Sequence, residues 1–338
     1  DALLADLDAD LAQAHNRPLS SIFFGGGTPS LFSAKALGRL LEGVERRVPF
    51  AADIEITLEA NPGTFEQAKF RDYRSLGINR LSIGVQSFQP PKLIALGRIH
   101  DGDEAVRAAD MARAAGFDNF NLDLMHGLPE QTTDQANSDI ELAINQGAQH
   151  ISWYQLTIEP NTEFYSRPPV IPNDDRLADI QQAGMQLLAA NNFEQHEVSA
   201  FARNGQISAH NMNYWQFGDY LGIGAGAHSK ITLPEQGTVI RVSKTRQPDK
   251  YLARQGSLVA KNSPIATEDM AMEFMMNGLR LKGGVPAEYF PARTGLHSAS
   301  IDSQVSSLQR QGLMESGYDR YSATPLGYQF LNTLLQSF

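Results

Sequence analysis

Ser21-Ile22-Phe23-Phe24-Gly25-Gly26-Gly27-Thr28-Pro29-Ser30 joins an apolar run of strand length to three successive glycines. The run reads as a buried strand. Glycines at its carboxyl end bring bare backbone to the edge where open and closed α/β sheets hold small molecules. The stretch predicts an α/β fold with a ligand site near the start of the chain, although a tight turn from strand to helix would satisfy the triplet equally well.

Working outward, strand-length runs recur at Ile54 to Leu58, Arg80 to Val85, Asn119 to Leu124 and His150 to Leu156, each closed by a polar or glycine-rich turn. Helical patterns lie between them, from Ala34 to Arg47, Glu66 to Leu76, Gly102 to Ala115 and Asp134 to Gln146. A strand every roughly 25 to 40 residues is the spacing of βα units, so a parallel sheet with right-handed crossovers is expected. The pattern loosens after Pro160. An extended linker at Arg167 to Pro172 precedes a helix over Asp174 to Asn191, with strands expected at His196 to Phe201 and Tyr220 to Ile223.

Beyond Ser263-Pro264, helices over Thr267 to Arg280 and Ile301 to Gln311, a hairpin over Gly312 to Ala323 and a last helix over Pro325 to Leu335 describe a winged-helix-like end. Three segments follow from this reading: a core barrel over 1–195, an extension over 196–262 and the winged-helix-like domain over 263–338. The last carries seven acidic against five basic residues. That balance is wrong for a reader of nucleic acid and favours a packing or lid role.

The whole chain of 338 residues has a net charge of −10 and 42% hydrophobic content. It can bury a full core, and nucleic-acid partners are not expected. No apolar stretch approaches the roughly 20 residues of a membrane-spanning helix, and the acidic start (Asp1, Asp6, Asp8, Asp10) is unlike a signal peptide. A cytoplasmic protein is expected. The chain has no cysteine and opens on Asp1, which reads as a chain lacking its natural start.

Four strand ends carry polar groups. Gly26, Gly27 and Thr28 follow the first, Glu59 ends the second where a ribose diol would meet a carboxylate, Gln86 ends the third beside the small Gly84, and Asp123 sits in the fourth among leucines. A carboxylate in apolar surroundings needs a partner. Arg98 is a candidate for that ion pair, or for a bidentate clamp on a ligand carboxylate. His126 reads as a strand-end hydrogen bonder, and Trp153, Tyr154 and Tyr165 as core or rim aromatics.

GGGTPS (25–30), EANPGT (59–64), RLSIGVQSF (80–88), LGRIH (96–100) and NLDLMHGLPEQT (121–132) together resemble the radical SAM enzymes related to oxygen-independent coproporphyrinogen III oxidase, and most closely the HemW haem chaperones. The likeness runs along essentially the whole chain. It implies a partial (β/α) radical SAM barrel with S-adenosylmethionine (SAM) across its mouth. Gly26, Gly27 and Thr28 would approach the methionine part, Glu59 and Gln86 the ribose, and Arg98 and Asp123 would complete the pocket. It also implies a [4Fe-4S] cluster on a Cys-x3-Cys-x2-Cys segment ahead of the glycine strand, which is absent from this chain and is expected upstream in the natural protein, together with the first barrel strand.

The segment His210-Asn211-Met212-Asn213-Tyr214-Trp215 resembles the HNxxYW motif that distinguishes the haem-binding members. Without that resemblance His210 reads as a loop or cap histidine. With it, His210 is a candidate axial ligand of haem iron, and Tyr214 and Trp215 would pack on the macrocycle. His228, after the glycine-rich Gly222 to Ala227, is a rival haem ligand or a SAM-side contact. The resemblance thus implies a haem chaperone that passes haem to an acceptor protein; the alternative is a radical SAM oxidative decarboxylase of coproporphyrinogen III.

Overall fold

The computed structural model describes the chain except residues 64–66, 99 and 255 and the side chains of 67 and 68. It divides into two compact units: residues 21–38 with 54–207, and residues 1–20 with 39–53 and 208–338.

The first unit is built on a seven-stranded sheet. Its strands are β1 (Leu19–Phe24), β2 (Phe50–Ala60), β3 (Arg80–Gln86), β4 (Phe120–His126), β5 (His150–Gln155), β6 (Glu194–Glu197) and β7 (Ala200–Ala202), ordered β1-β2-β3-β4-β5-β7-β6. From β2 to β5 the pairing is parallel, and β7 runs antiparallel to β5. The expected strand at His196 to Phe201 is instead the hairpin β6–β7, because Val198 and Ser199 turn the chain. Helices Gly102–Ala114 and Thr133–Asn145 open on capping boxes, from Asp101 with Glu104 and from Thr132 with Gln135. The helix expected from Glu66 runs over Gln67–Ser75, its first residue lying outside the described ones.

Side chains alternate across a strand, and β3 to β5 use this to separate two faces. Leu81, Ile83, Val85, Leu122, Leu124, Ile151 and Trp153 are buried on one. Arg80, Ser82, Asn121, Asp123, His150 and Ser152 occupy the other, which the register aligns as the rows Glu59, Ser82, Asn121, His150 and Asp123, Ser152. A parallel sheet buried in apolar contacts on both faces reads as a continuous hydrophobic run. Alternation here marks a sheet whose second face is polar.

The second unit holds an antiparallel sheet of β8 (His228–Leu233), β9 (Thr238–Lys244) and β10 (Val259–Pro264), with β9 central, and a small pair of β11 (Val285–Pro286) and β12 (Arg320–Tyr321). Its core runs through Phe217, Phe274, Phe290 and Tyr321, each ring edge-on to the next at 5.2 to 6.2 Å. Three expectations change here. Tyr220 to Ile223 forms no strand, only a bridge from Tyr220 to Lys230. The hairpin over 312–323 is reduced to a bridge between Met314 and Ala323, because β12 takes β11 as its partner. The last helix is two, Pro325–Gln329 and Leu331–Leu335, meeting at Phe330.

The acidic start is a buried anchor. Helix Ala2–Asp10 places Asp6 and Asp10 inside the second unit, where Lys244 Nζ lies 2.7 Å from both carboxylates. Asp6 also accepts from the Tyr251 hydroxyl at 2.8 Å and the Gly224 N–H at 2.9 Å. Burial works against the Lys244 ammonium, but the hydrogen bonds to Asp10 and Asp6 outweigh it and hold its pKa above the usual lysine value. Among the described residues no helix is long and apolar enough to cross a membrane.

Candidate functional site

The glycine loop after β1 has its own strut. Gly26 (φ +79°) and Gly27 (φ +60°) adopt the left-handed conformation that side chains resist, which explains two of the three glycines. Gly26 donates its N–H to Glu59 Oε2 at 3.1 Å. A Cβ on Gly25 would stand 2.8 Å from the Phe23 ring and 3.2 Å from Glu59 Cδ, so the first glycine makes room chiefly for Phe23 and also for that carboxylate. Burial pushes the Glu59 carboxyl up, the Gly26 bond pulls it down, and the charge of Asp123 adds to the rise. Past Thr28 the loop is tied by the buried Tyr73, whose hydroxyl donates to Ser30 O at 2.8 Å and Phe32 O at 2.9 Å.

The β3–β4 register shifts between Ile83 and Gln86, and Gln86 rejoins the ladder opposite Leu124 at φ +67°. Its amide folds over Gly84: a Cβ there would meet Gln86 Nε2 at 3.1 Å and Asn61 Oδ1 at 3.2 Å. The loop beyond is pinned by buried Asp139, which accepts from Ser87 Oγ at 2.7 Å and Phe88 N–H at 2.9 Å. Burial pushes the Asp139 carboxyl up to about 6, against the pull of those bonds.

Asp123 finds its partners in its own strand and in β3 rather than in Arg98. Ser82 Oγ donates to it at 3.0 Å and Asn121 Nδ2 at 2.8 Å. Burial raises its carboxyl, and hydrogen bonds from Asn121, Ser82 and Ser152 with the charge of Arg80 oppose the rise. The cation near it is therefore Arg80, buried in β3 with its Nε 3.8 Å from Glu55 Oε2. Arg98 is exposed, its backbone N–H capping a turn on Leu93 O at 2.9 Å.

Behind Asp123 the network continues. With its Nδ2 committed to Asp123, the Asn121 amide turns its Oδ1 to Ser152 Oγ at 3.0 Å and to His150 Nδ1 at 2.7 Å. His150 is thereby the Nδ1–H tautomer, leaving its Nε2 to accept from His196 Nε2 at 3.4 Å. Burial lowers both imidazoles, His196 to about 4, so both are neutral at pH 7. Ser82, Arg80, Asn121, His150, Ser152 and His196 are absent from the sequence-based candidates. The polar–apolar alternation that opens RLSIGVQ, NLDLMH and HISWYQ is the signal for all of them but His196, which lies in the EQHE strand.

In the second unit, the HNMNYW segment is a helix, Ala209–Trp215, opened by Ser208, whose Oγ accepts the Asn211 N–H at 3.3 Å. Helical spacing sets His210 and Tyr214 one turn apart with ring centroids 4.8 Å apart. Tyr214 lies 4.2 Å from Tyr220, a ring that sequence reasoning did not include. Burial pushes the Tyr214 hydroxyl up to about 12, helped by Tyr220. Asn213 shapes the exit of the helix, donating Nδ2–H to Asp219 O at 2.9 Å. The Arg280 guanidinium sits 4.8 Å over Trp215. His228 is exposed at the start of β8, and the glycine-rich loop before it is committed to Asp6 through Gly224.

Residues 3–143 match the Radical SAM superfamily, and residues 265–330 match the HemN C-terminal domain. Over 336 residues, 99% of this chain and 88% of the relative, the chain is 50% identical to the protein of Escherichia coli named heme chaperone HemW. The chain belongs to the HemW family. The protein of the same name from Haemophilus influenzae is 48% identical over 99% of this chain and 88% of its own length. The solved structure of coproporphyrinogen III oxidase (HemN) from Escherichia coli superposes with a TM-score of 0.80 at 20% identity, covering 100% of this chain and 81% of that one, which shows a shared fold.

Family membership makes the curled sheet a radical SAM half-barrel with a separate HemN-type C-terminal region, in a family that binds SAM. The residues at the strand ends fit that ligand. The Gly27 backbone is exposed, Glu59 presents a second carboxylate oxygen, and Gln86 presents an amide. An iron–sulfur cluster finds no such fit: the chain has no cysteine, and among the described residues no group of three or more His, Cys, Asp or Glu is placed to hold a metal.

Proposed function

We propose that the chain is a haem chaperone of the HemW family, binding haem at helix Ala209–Trp215 and passing it to an acceptor protein in the cytoplasm. The observation that carries the reading is the one-turn pairing of His210 with Tyr214, backed by Tyr220, in a chain 50% identical to a protein named a haem chaperone. An imidazole held beside two phenol rings offers an axial ligand to iron and apolar faces to a macrocycle. His210 is the iron ligand in this reading, and Tyr214 and Trp215 line the ring.

SAM belongs to the other unit. Gly26, Gly27 and Thr28 meet its methionine part, Glu59 and Gln86 its ribose, and Arg98 its carboxylate. Asp123 acts from beneath, since its oxygens already receive Ser82 and Asn121. A [4Fe-4S] cluster needs thiolates that this chain does not carry, so no residue here is assigned to it. We keep 1–195, 196–262 and 263–338 as the functional division of SAM barrel, haem-motif extension and C-terminal domain.

Haemin titrated into the protein should give a Soret band that weakens and shifts in His210→Ala. An unchanged spectrum and affinity in that variant would remove the assignment. The oxidase reading shares only the fold evidence, at 20% identity; anaerobic conversion of coproporphyrinogen by the cluster-loaded full-length protein would reverse the ranking.

A further inference from the structure

The chain is acidic overall, with a net charge of −10, yet the surroundings of helix Ala209–Trp215 are not. Arg17 and Lys230 share Asp219 at 3.0 and 3.1 Å, and Arg241 pairs with Glu273. Arg293 donates to Gln216 O at 2.7 Å while its guanidinium lies 3.8 Å over Tyr289. Arg280 completes the group over Trp215. Among these groups five cations are set against two carboxylates, an excess that favours an anionic occupant.

Arg280 differs from Arg17, Lys230 and Arg241 in having no carboxylate. Among the described residues its guanidinium has only the indole for company, and its buried Nε has no hydrogen-bond acceptor. The Trp215 Nε1–H is likewise buried and without an acceptor. A cation–π contact uses none of the guanidinium's N–H groups, so the fork stays available to a planar bidentate acceptor. Two adjacent donors lacking acceptors, held by one stack, describe a carboxylate receptor more closely than a structural ion pair.

We infer that the Trp215–Arg280 stack receives a carboxylate side chain of the bound porphyrin, so that the site selects tetrapyrroles with free carboxylates. This rests on the haem reading of the helix and names what that reading leaves open: how the macrocycle is oriented in its own plane. The imidazole of His210 addresses the metal, Tyr214 the ring, and Arg280 the acidic edge. A neutral porphyrin of the same size and metal fills the ring contacts but leaves the guanidinium unpaired.

The test uses haemin and its dimethyl ester, titrated into the wild-type protein and into Arg280→Gln, Arg280→Lys and His210→Ala, with the Soret band and tryptophan fluorescence as readouts. Haemin should bind the wild type about tenfold or more tighter than the ester, as expected for a charge-assisted hydrogen bond. Arg280→Gln should lose that factor for haemin and change little for the ester, and Arg280→Lys should keep part of it. A folded Arg280→Gln or Arg280→Lys protein that discriminates like wild type, with a His210-sensitive Soret band, overturns the carboxylate assignment alone. Indifference of both ligands to His210→Ala overturns the haem reading and this inference with it.

Discussion

The carboxylate of Glu59 holds the backbone N–H of Gly26 at 3.1 Å, so the end of one strand fixes the glycine loop of its neighbour. The contact preorganises two left-handed glycines and leaves the other carboxylate oxygen for a ligand. Glu59→Ala should weaken SAM binding by about ten- to a hundredfold, the range for a lost hydrogen bond to a charged group. Calorimetry with SAM checks this. Wild-type affinity in the variant would separate the loop strut from the ligand site.

Lys244 stands between Asp6 and Asp10. Lys244→Met removes the cation and leaves two carboxylates and the Asp6 contacts of Gly224 and Tyr251 in a dry site. Breaking a buried pair from one side costs about 3 to 5 kcal/mol. Urea unfolding should show a lower midpoint with an unchanged slope. If Lys244→Met unfolds like wild type, the cluster is solvated rather than buried.

His126 supplies a pH dependence. Its ring is buried 4.1 Å from the Trp153 ring, and burial alone lowers its pKa from 6.5 to about 4. The unfolded chain binds the proton between those values and the folded chain does not, so the stability contributed by the neutral ring is full above pH 6.5 and is lost as pH falls toward 4. Asp139, raised to about 6, acts with the opposite sign, favouring the folded state at low pH and losing that contribution as pH rises through 6. The two partly cancel in the wild type. The difference between wild type and His126→Asn isolates the histidine, and it should change by about 2 to 3 kcal/mol between pH 7 and 4. A pH-independent difference would mean the ring is charged or reached by water.

Much of the architecture was legible because βα spacing and glycine-ended strands are local signals. Ser21 to Phe24 and Arg80 to Val85 are strands, and Gly102 to Ala115 is a helix to within a residue. What escaped depends on partners distant in sequence. Asp6 and Asp10 read only as part of an acidic start, and what makes them internal is Lys244, more than 230 residues away, with Gly224 and Tyr251 on Asp6. Asp123 reads as needing a partner, with Arg98 one candidate for it, and Ser82 and Asn121 hold the geometry. Arg280 carries no motif at all; its role comes from lying over Trp215.

Gly218 tests how the haem motif is held. A Cβ there would stand 2.0 Å from Asn213 Oδ1 and 2.8 Å from Asn213 O, distances no real side chain shows. Asn213 cannot withdraw freely, because its Nδ2 holds Asp219 O at 2.9 Å and Asp219 in turn gathers Arg17, Lys230 and Thr232. Gly218→Ala should therefore push on helix Ala209–Trp215 through its fourth motif residue and tilt His210 and Tyr214 out of their pairing. The expected result is a melting temperature several degrees lower, as for the loss of about 1 to 3 kcal/mol in a domain of this size, with a haemin Soret band displaced toward that of His210→Ala. Asn213→Ala in the same background relieves the side-chain clash but not the one with the backbone carbonyl. Recovery of stability without recovery of the Soret band would place Asn213 itself in the haem-binding geometry, whereas full recovery of both would make the residue a spacer and leave the motif to His210, Tyr214 and Trp215.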